Sequence, residues 1–232
     1  RGLEGLSVAL PPLPGQSIVR REHNDHLYTL GSMLRKNDFE PMFLYGGYGA
    51  FDNMNAFFRA NGYRISDREN FTEANQNFAT IWGVADELLF NEALDQLERD
   101  SASGQKRFLH IMTTSNHRPY VYPGGHIDIP SKTGRNGAVK YTDWAIGDFL
   151  ARAARRPWFK DTLFIIVADH NASVAGKQSL PPNKYRIPAM LYWPAKLAPR
   201  RIEVMASQID LPPTVLALLG IRTRGVFFGQ NL

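Results

Sequence analysis

The sequence predicts an α/β protein: a doubly wound, mostly parallel sheet with helices on both faces. Three observations carry this expectation. The stretch Leu163–Val167 is an unbroken apolar run containing Ile165, Ile166 and Val167. It is too short for a typical helix and reads as a strand buried on both faces, as parallel sheets require. Arg107–Thr113 (RFLHIMT) is a second strong strand. Helical periodicities lie between and around the two, and strand–helix alternation is the signature of a wound parallel sheet.

In chain order, residues 1–10 read as an amphipathic helix through Leu3, Leu6, Val8 and Leu10, stopped by Pro11 and Pro12. A polar link, Gly15–Asp25, leads to His26–Arg35, a helix with Leu27, Leu30, Met33 and Leu34 on one side. Pro41–Tyr45 is a short strand, and Gly46, Gly47 and Gly49 turn the chain after it. Asp52 is placed to cap a helix over Asn53–Ala60, which Gly62 closes. Val84–Arg99 shows a 3.6-residue period through Leu88, Leu89, Ala93, Leu94 and Leu97.

After the strand Arg107–Thr113, the segment TSNHRPYVY (Thr114–Tyr122) leaves its carboxyl end and enters a Gly/Pro-rich excursion up to Gly137. Ala138–Arg155 is the strongest helix, burying Tyr141, Trp144, Ala145, Phe149 and Ala153. Pro157 and Trp158 end it, and Thr162–Ala168 returns to the sheet. Ile187–Trp193 and Val204–Ser207 read as shorter strands, and Ile209–Leu219 as a helix entered through Asp210 and two prolines and closed by Gly220. No repeat and no second domain is visible, so residues 1–232 are read as a single domain.

Length and composition agree. A chain of 232 residues can bury one sizeable core, and 44% hydrophobic with 21% charged residues is ordinary globular usage. No apolar run of about 18 residues is present, so none of this sequence reads as a membrane span, and no secretory signal is visible. The chain opens on Arg1 within helical sequence, so it is read as an N-terminally truncated piece whose anchor or targeting segment lies elsewhere. A net charge of +5 and a pI near 9.5 suit an anionic partner, or a solvated basic surface. The absence of Cys removes disulfides, thiol nucleophiles and thiolate metal sites, and fits an oxidising compartment such as the periplasm.

The candidate chemistry sits where strands end. Arg107–Thr113 runs into Asn116 and His117, and Thr162–Ala168 runs into Asp169 and His170. In a parallel sheet both ends lie on one edge, where ligands of open α/β sheets bind, so His117, Asp169 and His170 are expected to converge. Asp169 and His170 offer a hard oxygen and an imidazole nitrogen, a mixed set suited to Zn or Mn, although a site needs three or four donors. His117 has no acid partner in its own segment, and suits a hydrogen bond to an anionic substrate oxygen or protonation of a leaving group. Arg118 either assists or faces solvent. Lys177, in Ala175-Gly176-Lys177, either contacts an anion or is solvated; the P-loop pattern fails there, because the upstream Gly is missing and Gln178 replaces the hydroxyl residue. Gly46-Gly47 with Gly49 is a turn rather than a dinucleotide fingerprint. His23, His26, His110 and His126 read as structural or surface residues.

Taken with RGLEGLSVALPP, FLYGGYGAFDNMNAFF, TTSNHRPY, KYTDWAIGDFL, FIIVADHNASVAGK and IDLPPTVLALLG, these residues give a chain that resembles the lipoteichoic acid synthase-like, phosphoglycerol transferase branch of the sulfatase and alkaline phosphatase superfamily over nearly its whole length. The resemblance implies an enzyme anchored in the cell inner membrane with its catalytic domain on the periplasmic side. It implies transfer of phosphoglycerol or a similar head group from an anionic lipid to a glycan or polymer acceptor, with a divalent metal, commonly Mn (Zn, Mg or Ca as alternatives). Asp169 and His170 match the family's metal ligands and His117 its substrate-phosphate histidine; Asn116, Arg118 and Lys177 are the further substrate-binding candidates of the residue reading. The family's nucleophilic Thr and another acidic ligand would precede Arg1, and neither Thr113 nor Thr114 matches that Thr. A substrate-binding Trp and Arg of some members would fall near Asp52 and Met54, which cannot replace them. The residues given are therefore expected to be inactive alone and to bind metal weakly or not at all, and apolar surface exposed on a truncated sheet is expected to encourage self-association.

Three rivals are distinguishable. A sulfate or phosphate ester hydrolase would use the same residues with water as acceptor. A catalytically dead module would bind anionic glycolipids through them. Nucleic-acid binding finds support only in the pI, since no basic-aromatic module is present.

Overall fold

Phe39–Tyr45 (β1) is the centre of a three-stranded parallel sheet, with Arg64–Asp67 (β2) on one side and Lys106–Met112 (β3) on the other. Its registers are Phe43 opposite Ile65 and Phe43 opposite His110. The computed structural model describes residues 2–100, 104–171, 184–222 and 227–232. Contacts group the chain into two units, Val19–Arg155 and Arg1–Ile18 with Arg156–Leu232.

In the first unit, Met42, Phe43, Leu44 and Tyr45 are buried in succession, which requires cover on both faces of β1. Phe43 stacks on Phe58 of the helix Met54–Ala60 (α3) with ring centroids 3.9 Å apart, and Phe57 and Tyr63 meet Phe58 edge-on. The helix Leu30–Arg35 (α2) packs on β1, and Asp86–Asp100 (α4) packs on β1 and β3 with Arg135–Ala153 (α5) against it. Each fully buried large apolar side chain of this layer contributes about 1.5–3 kcal/mol. Glu40 pairs across the sheet with Arg64, 3.0 Å away, and with Arg107.

Several boundaries differ from the sequence expectation for local reasons. The helix expected from His26 begins at Leu30, because Thr29 is its N-cap and shares a capping box with Ser32. Asp52 does not cap α3. It lies with φ +53° in a short 3-10 turn, its carboxylate 3.3 Å from Arg20, and the N-cap is Asn53 in the left-handed region. α5 starts at Arg135, three residues early, and buries Tyr141, Ala145, Phe149 and Ala153, while Trp144 is half-buried.

The second unit holds Gly2–Val8 (α1), Phe164–Val167 (β4), Ala189–Tyr192 (β5) and Leu211–Leu218 (α6). β4 and β5 are antiparallel, Phe164 opposite Tyr192. β4 is half-buried along its length, not buried on both faces as expected. The buried face of α1 is Gly2, Glu4, Gly5, Ser7 and Val8 rather than the leucine stripe: Leu3 and Leu6 are half-buried. Glycines there let the helix approach closely, since a Cβ on Gly2 would lie 2.2 Å from the Asp169 carbonyl oxygen. Val204–Ser207 is not a strand; Val204 and Met205 are 63% and 91% exposed, and no strand pairs with them among the described residues.

Candidate active site

The carboxyl edge of the parallel sheet is built by β1, β2 and β3 ending together. The amide of Gly46 donates to the carbonyl of Met112 at 3.4 Å, tying the glycine turn to the end of β3. Asp67, buried at the end of β2, accepts from the amide of Gly49 (2.9 Å) and from the side chain of Asn55 (2.7 Å). A Cβ on Gly47 would lie 2.4 Å from the carbonyl oxygen of Trp82 and one on Gly83 2.4 Å from that of Gly46. The glycines permit this close approach of two loops.

His117 is presented from this edge by a segment held from beneath. Thr114 and Ser115 are buried, and both their amides donate to Oδ1 of Asp86 at 3.0 Å. Asp86 is the first residue of α4 and fully buried; its own amide donates to the Ser115 hydroxyl (3.1 Å) and its Oδ2 accepts from Thr142 (2.6 Å). A carboxylate at a helix N-terminus that accepts from three donors is a stable anchor. Beyond it the chain turns outward, the amide of His117 donating to the Thr114 carbonyl at 3.2 Å. The exposed imidazole stacks on the indole of Trp82, centroids 4.2 Å apart and planes 12° from parallel. Trp82 Nε1 donates to the carbonyl of Arg118 at 2.6 Å, so the indole fixes both ring and backbone.

Of the other expected contacts in this segment, Asn116 is exposed and donates to the Thr142 hydroxyl at 2.7 Å. Arg118 is exposed, its Nε 3.4 Å from the Tyr120 hydroxyl, to which Arg135 also donates at 3.0 Å. These guanidinium donors hold the Tyr120 phenol below its ordinary value, the Arg118 bond foremost, while Arg118 is raised by the same bond. His110 lies in β3 edge-on to Phe43 and Phe58, and burial pushes it down to about 4. His126 stacks on Trp144 (4.0 Å), with Nε2 3.2 Å from Glu87.

In the second unit Asp169 and His170 follow β4 directly, and both side chains are more than half exposed. Asp169 Oδ1 accepts from the amide of His170 (2.8 Å), and Oδ2 is 3.2 Å from His170 Nε2. Nδ1 of His170 is 3.1 Å from the carbonyl oxygen of Asn171. The backbone beneath is braced by Gln208, whose amide donates to the carbonyls of Ala168 (2.8 Å) and Asp169 (2.9 Å). Carboxylate and imidazole fit a divalent cation in kind. They fall short in number: among the described residues no group of three or more His, Cys, Asp or Glu comes together. Lys177 lies outside the described residues.

The sequence reading missed Asp86, Trp82, Thr142, Tyr120 and Arg135. Asp86 carried one legible signal, an acidic residue at a helix start. Tyr120 lies three positions after His117 in the same segment; Trp82 reaches the imidazole, Arg135 the Tyr120 hydroxyl and Thr142 the Asp86 carboxylate only through folding.

Comparison with known proteins places these observations. The family model described as Sulfatase matches residues 9–221. Phosphoglycerol transferase I of Xanthomonas euvesicatoria pv. vesicatoria (strain 85-10) is 27% identical over 220 residues, covering 88% of this chain and 30% of that protein. The crystal structure of an alkaline phosphatase superfamily protein from Vibrio parahaemolyticus superposes with TM-score 0.91 at 36% identity, over 99% of this chain and 57% of that one. The lipoteichoic acid synthase LtaP from Listeria monocytogenes gives TM-score 0.86 at 24% identity, over 99% of this chain and 62% of that one. The chain thus spans about a third of the length of that curated relative and under two thirds of each solved one.

Proposed function

Because the chain belongs to the sulfatase family, with the α/β fold of the alkaline phosphatase superfamily, we propose that the protein is a phosphotransferase that moves phosphoglycerol or a similar head group from an anionic lipid to a glycan or polymer acceptor. The observation that carries this reading is the exposed imidazole of His117 at the carboxyl edge of the parallel sheet, on a segment pinned by buried Asp86. An imidazole so fixed can donate to a phosphoryl oxygen or protonate a leaving alkoxide. Relatives named phosphoglycerol transferase support the choice of head group.

Asn116, Arg118 and Lys177 are assigned to the substrate, and Asp169 and His170 to a divalent cation, with Mn as first choice. A cation held there would supply Lewis-acid polarisation of a phosphoryl oxygen. A covalent Thr intermediate requires a nucleophile that neither Thr113 nor Thr114 provides, and we assign it to the part of the relatives that this chain does not span. On this reading these 232 residues alone do not turn over. The protein works at the periplasmic face of the inner membrane; among the described residues no helix is long and apolar enough to cross a membrane.

The test uses full-length protein, phosphatidylglycerol vesicles, a glucan acceptor and Mn. Acceptor-dependent release of diacylglycerol is expected, falling at least about a hundredfold in H117A and D169N. Unchanged rates in H117A would overturn the assignment. Release of glycerol phosphate independent of acceptor would convert it to an ester hydrolase.

A further inference from the structure

Beside His117, two cations converge on one neutral oxygen. Tyr120 sits in the left-handed region with φ +61°, a conformation that a bulky residue adopts only where its surroundings impose it. Its amide donates to the carbonyl of His117 at 2.8 Å and its carbonyl accepts from the amide of Lys132 at 3.1 Å. Its hydroxyl receives Arg118 Nε at 3.4 Å and a terminal nitrogen of Arg135 at 3.0 Å. The Arg135 guanidinium also lies 5.7 Å from the centre of the Tyr120 ring.

Among the described residues neither guanidinium has a carboxylate partner. Each uses one N–H on the phenol and keeps the rest of its fork. Two like charges gathered by a neutral acceptor repel one another, and an oxyanion between them removes that repulsion while accepting from both forks. A lysine pair would offer point charges; a guanidinium pair offers the planar donors that match phosphate.

We propose that Arg118 and Arg135, held by Tyr120, form an anion subsite next to His117 that binds an esterified phosphate, taken here as glycerol phosphate. The choice of glycerol phosphate rests on the function proposed above; the subsite itself rests on the two arginines. It is one residue along the chain from the imidazole, and the carbonyl of Arg118 is held by Trp82, the indole that stacks on His117. The subsite therefore selects for substrates carrying a phosphate beyond the one at the imidazole.

The experiment is calorimetric titration of the chain with glycerol 3-phosphate, and separately with phosphatidylglycerol and phosphatidylcholine vesicles. Binding of the soluble ester is expected, weakened about tenfold or more in R118A and in R135A. R118K should not restore it. Y120F should weaken it less than either, since it removes only the shared acceptor. R155A, an exposed arginine in the same unit, should bind as the parent does, and circular dichroism melts should confirm that every variant folds. No binding by the parent chain, parental affinity in R118A and R135A, a loss in R155A as large as theirs, or binding to phosphatidylglycerol vesicles alone would each overturn the subsite. Normal binding in the arginine variants with transfer lost in H117A sinks the subsite and leaves the phosphotransferase standing. Lost binding with normal transfer in H117A does the reverse.

Discussion

Asp86 shows how much one residue can hold. Its carboxylate takes two backbone amides and a hydroxyl in a fully buried position. Asp86→Ala leaves the Thr114 and Ser115 amides without acceptors, a cost of about 2–4 kcal/mol. Asp86→Asn keeps one oxygen for them, but its NH2 replaces the oxygen that accepts from the Thr142 hydroxyl, which loses its acceptor, so a loss of about 1–2 kcal/mol is expected. Urea midpoints of the two variants check the order, and an unchanged D86A midpoint would contradict it. In the full-length protein D86A should also lose transfer rate, because the segment that carries His117 loses its footing. Asp169 and His170 were visible in the sequence as a pair following an apolar run. The bond between their side chains, and the bracing by Gln208 from far along the chain, were not.

Elements were legible wherever their signals are local. β1 and β3 came from short apolar runs, α4 and α5 from 3.6-residue periods, and α6 from a proline-rich start. Errors arose where a neighbour decides: Val204–Ser207 has a strand-like pattern and, among the described residues, no strand to pair with. α2 makes the contest between local and tertiary preference measurable. By helix propensity Gly31→Ala should stabilise by about 1 kcal/mol. In the fold a Cβ there would lie 2.1 Å from Cζ of buried Tyr63, whose hydroxyl accepts from the Gly31 amide. A net loss of about 1–3 kcal/mol is therefore expected, against about 1 kcal/mol for removing the cap in Thr29→Ala. Denaturant midpoints of the two variants read the difference, and a stabilised G31A would refute the packing argument.

For the molecule as a whole, acid should be destabilising in a defined window. His110 is pushed down to about 4 by burial among aromatic rings. Its folded value lies below the unfolded one of about 6.5. The unfolded chain therefore binds the extra proton first as pH falls. The contribution is complete above about pH 6.5 and is lost as pH drops towards 4, amounting to about 3 kcal/mol at most. His110→Phe, which keeps an aromatic ring in the cluster, should flatten this part of the stability–pH curve. An equal loss between pH 7 and 4.5 in parent and variant would rule His110 out as its source.

The sequence by itself determined the fold class, the order of most elements and the family resemblance. Those signals are periodicities and short motifs, which neighbouring residues write together. Only tertiary structure decided how His117 is held, by Asp86 from 31 positions earlier and by the indole of Trp82. It alone brought Arg135 to the phenol that Arg118 reaches. The reason is physical: a buried carboxylate or a convergent pair of cations is defined by what surrounds it, and those surroundings exist only after distant segments have packed.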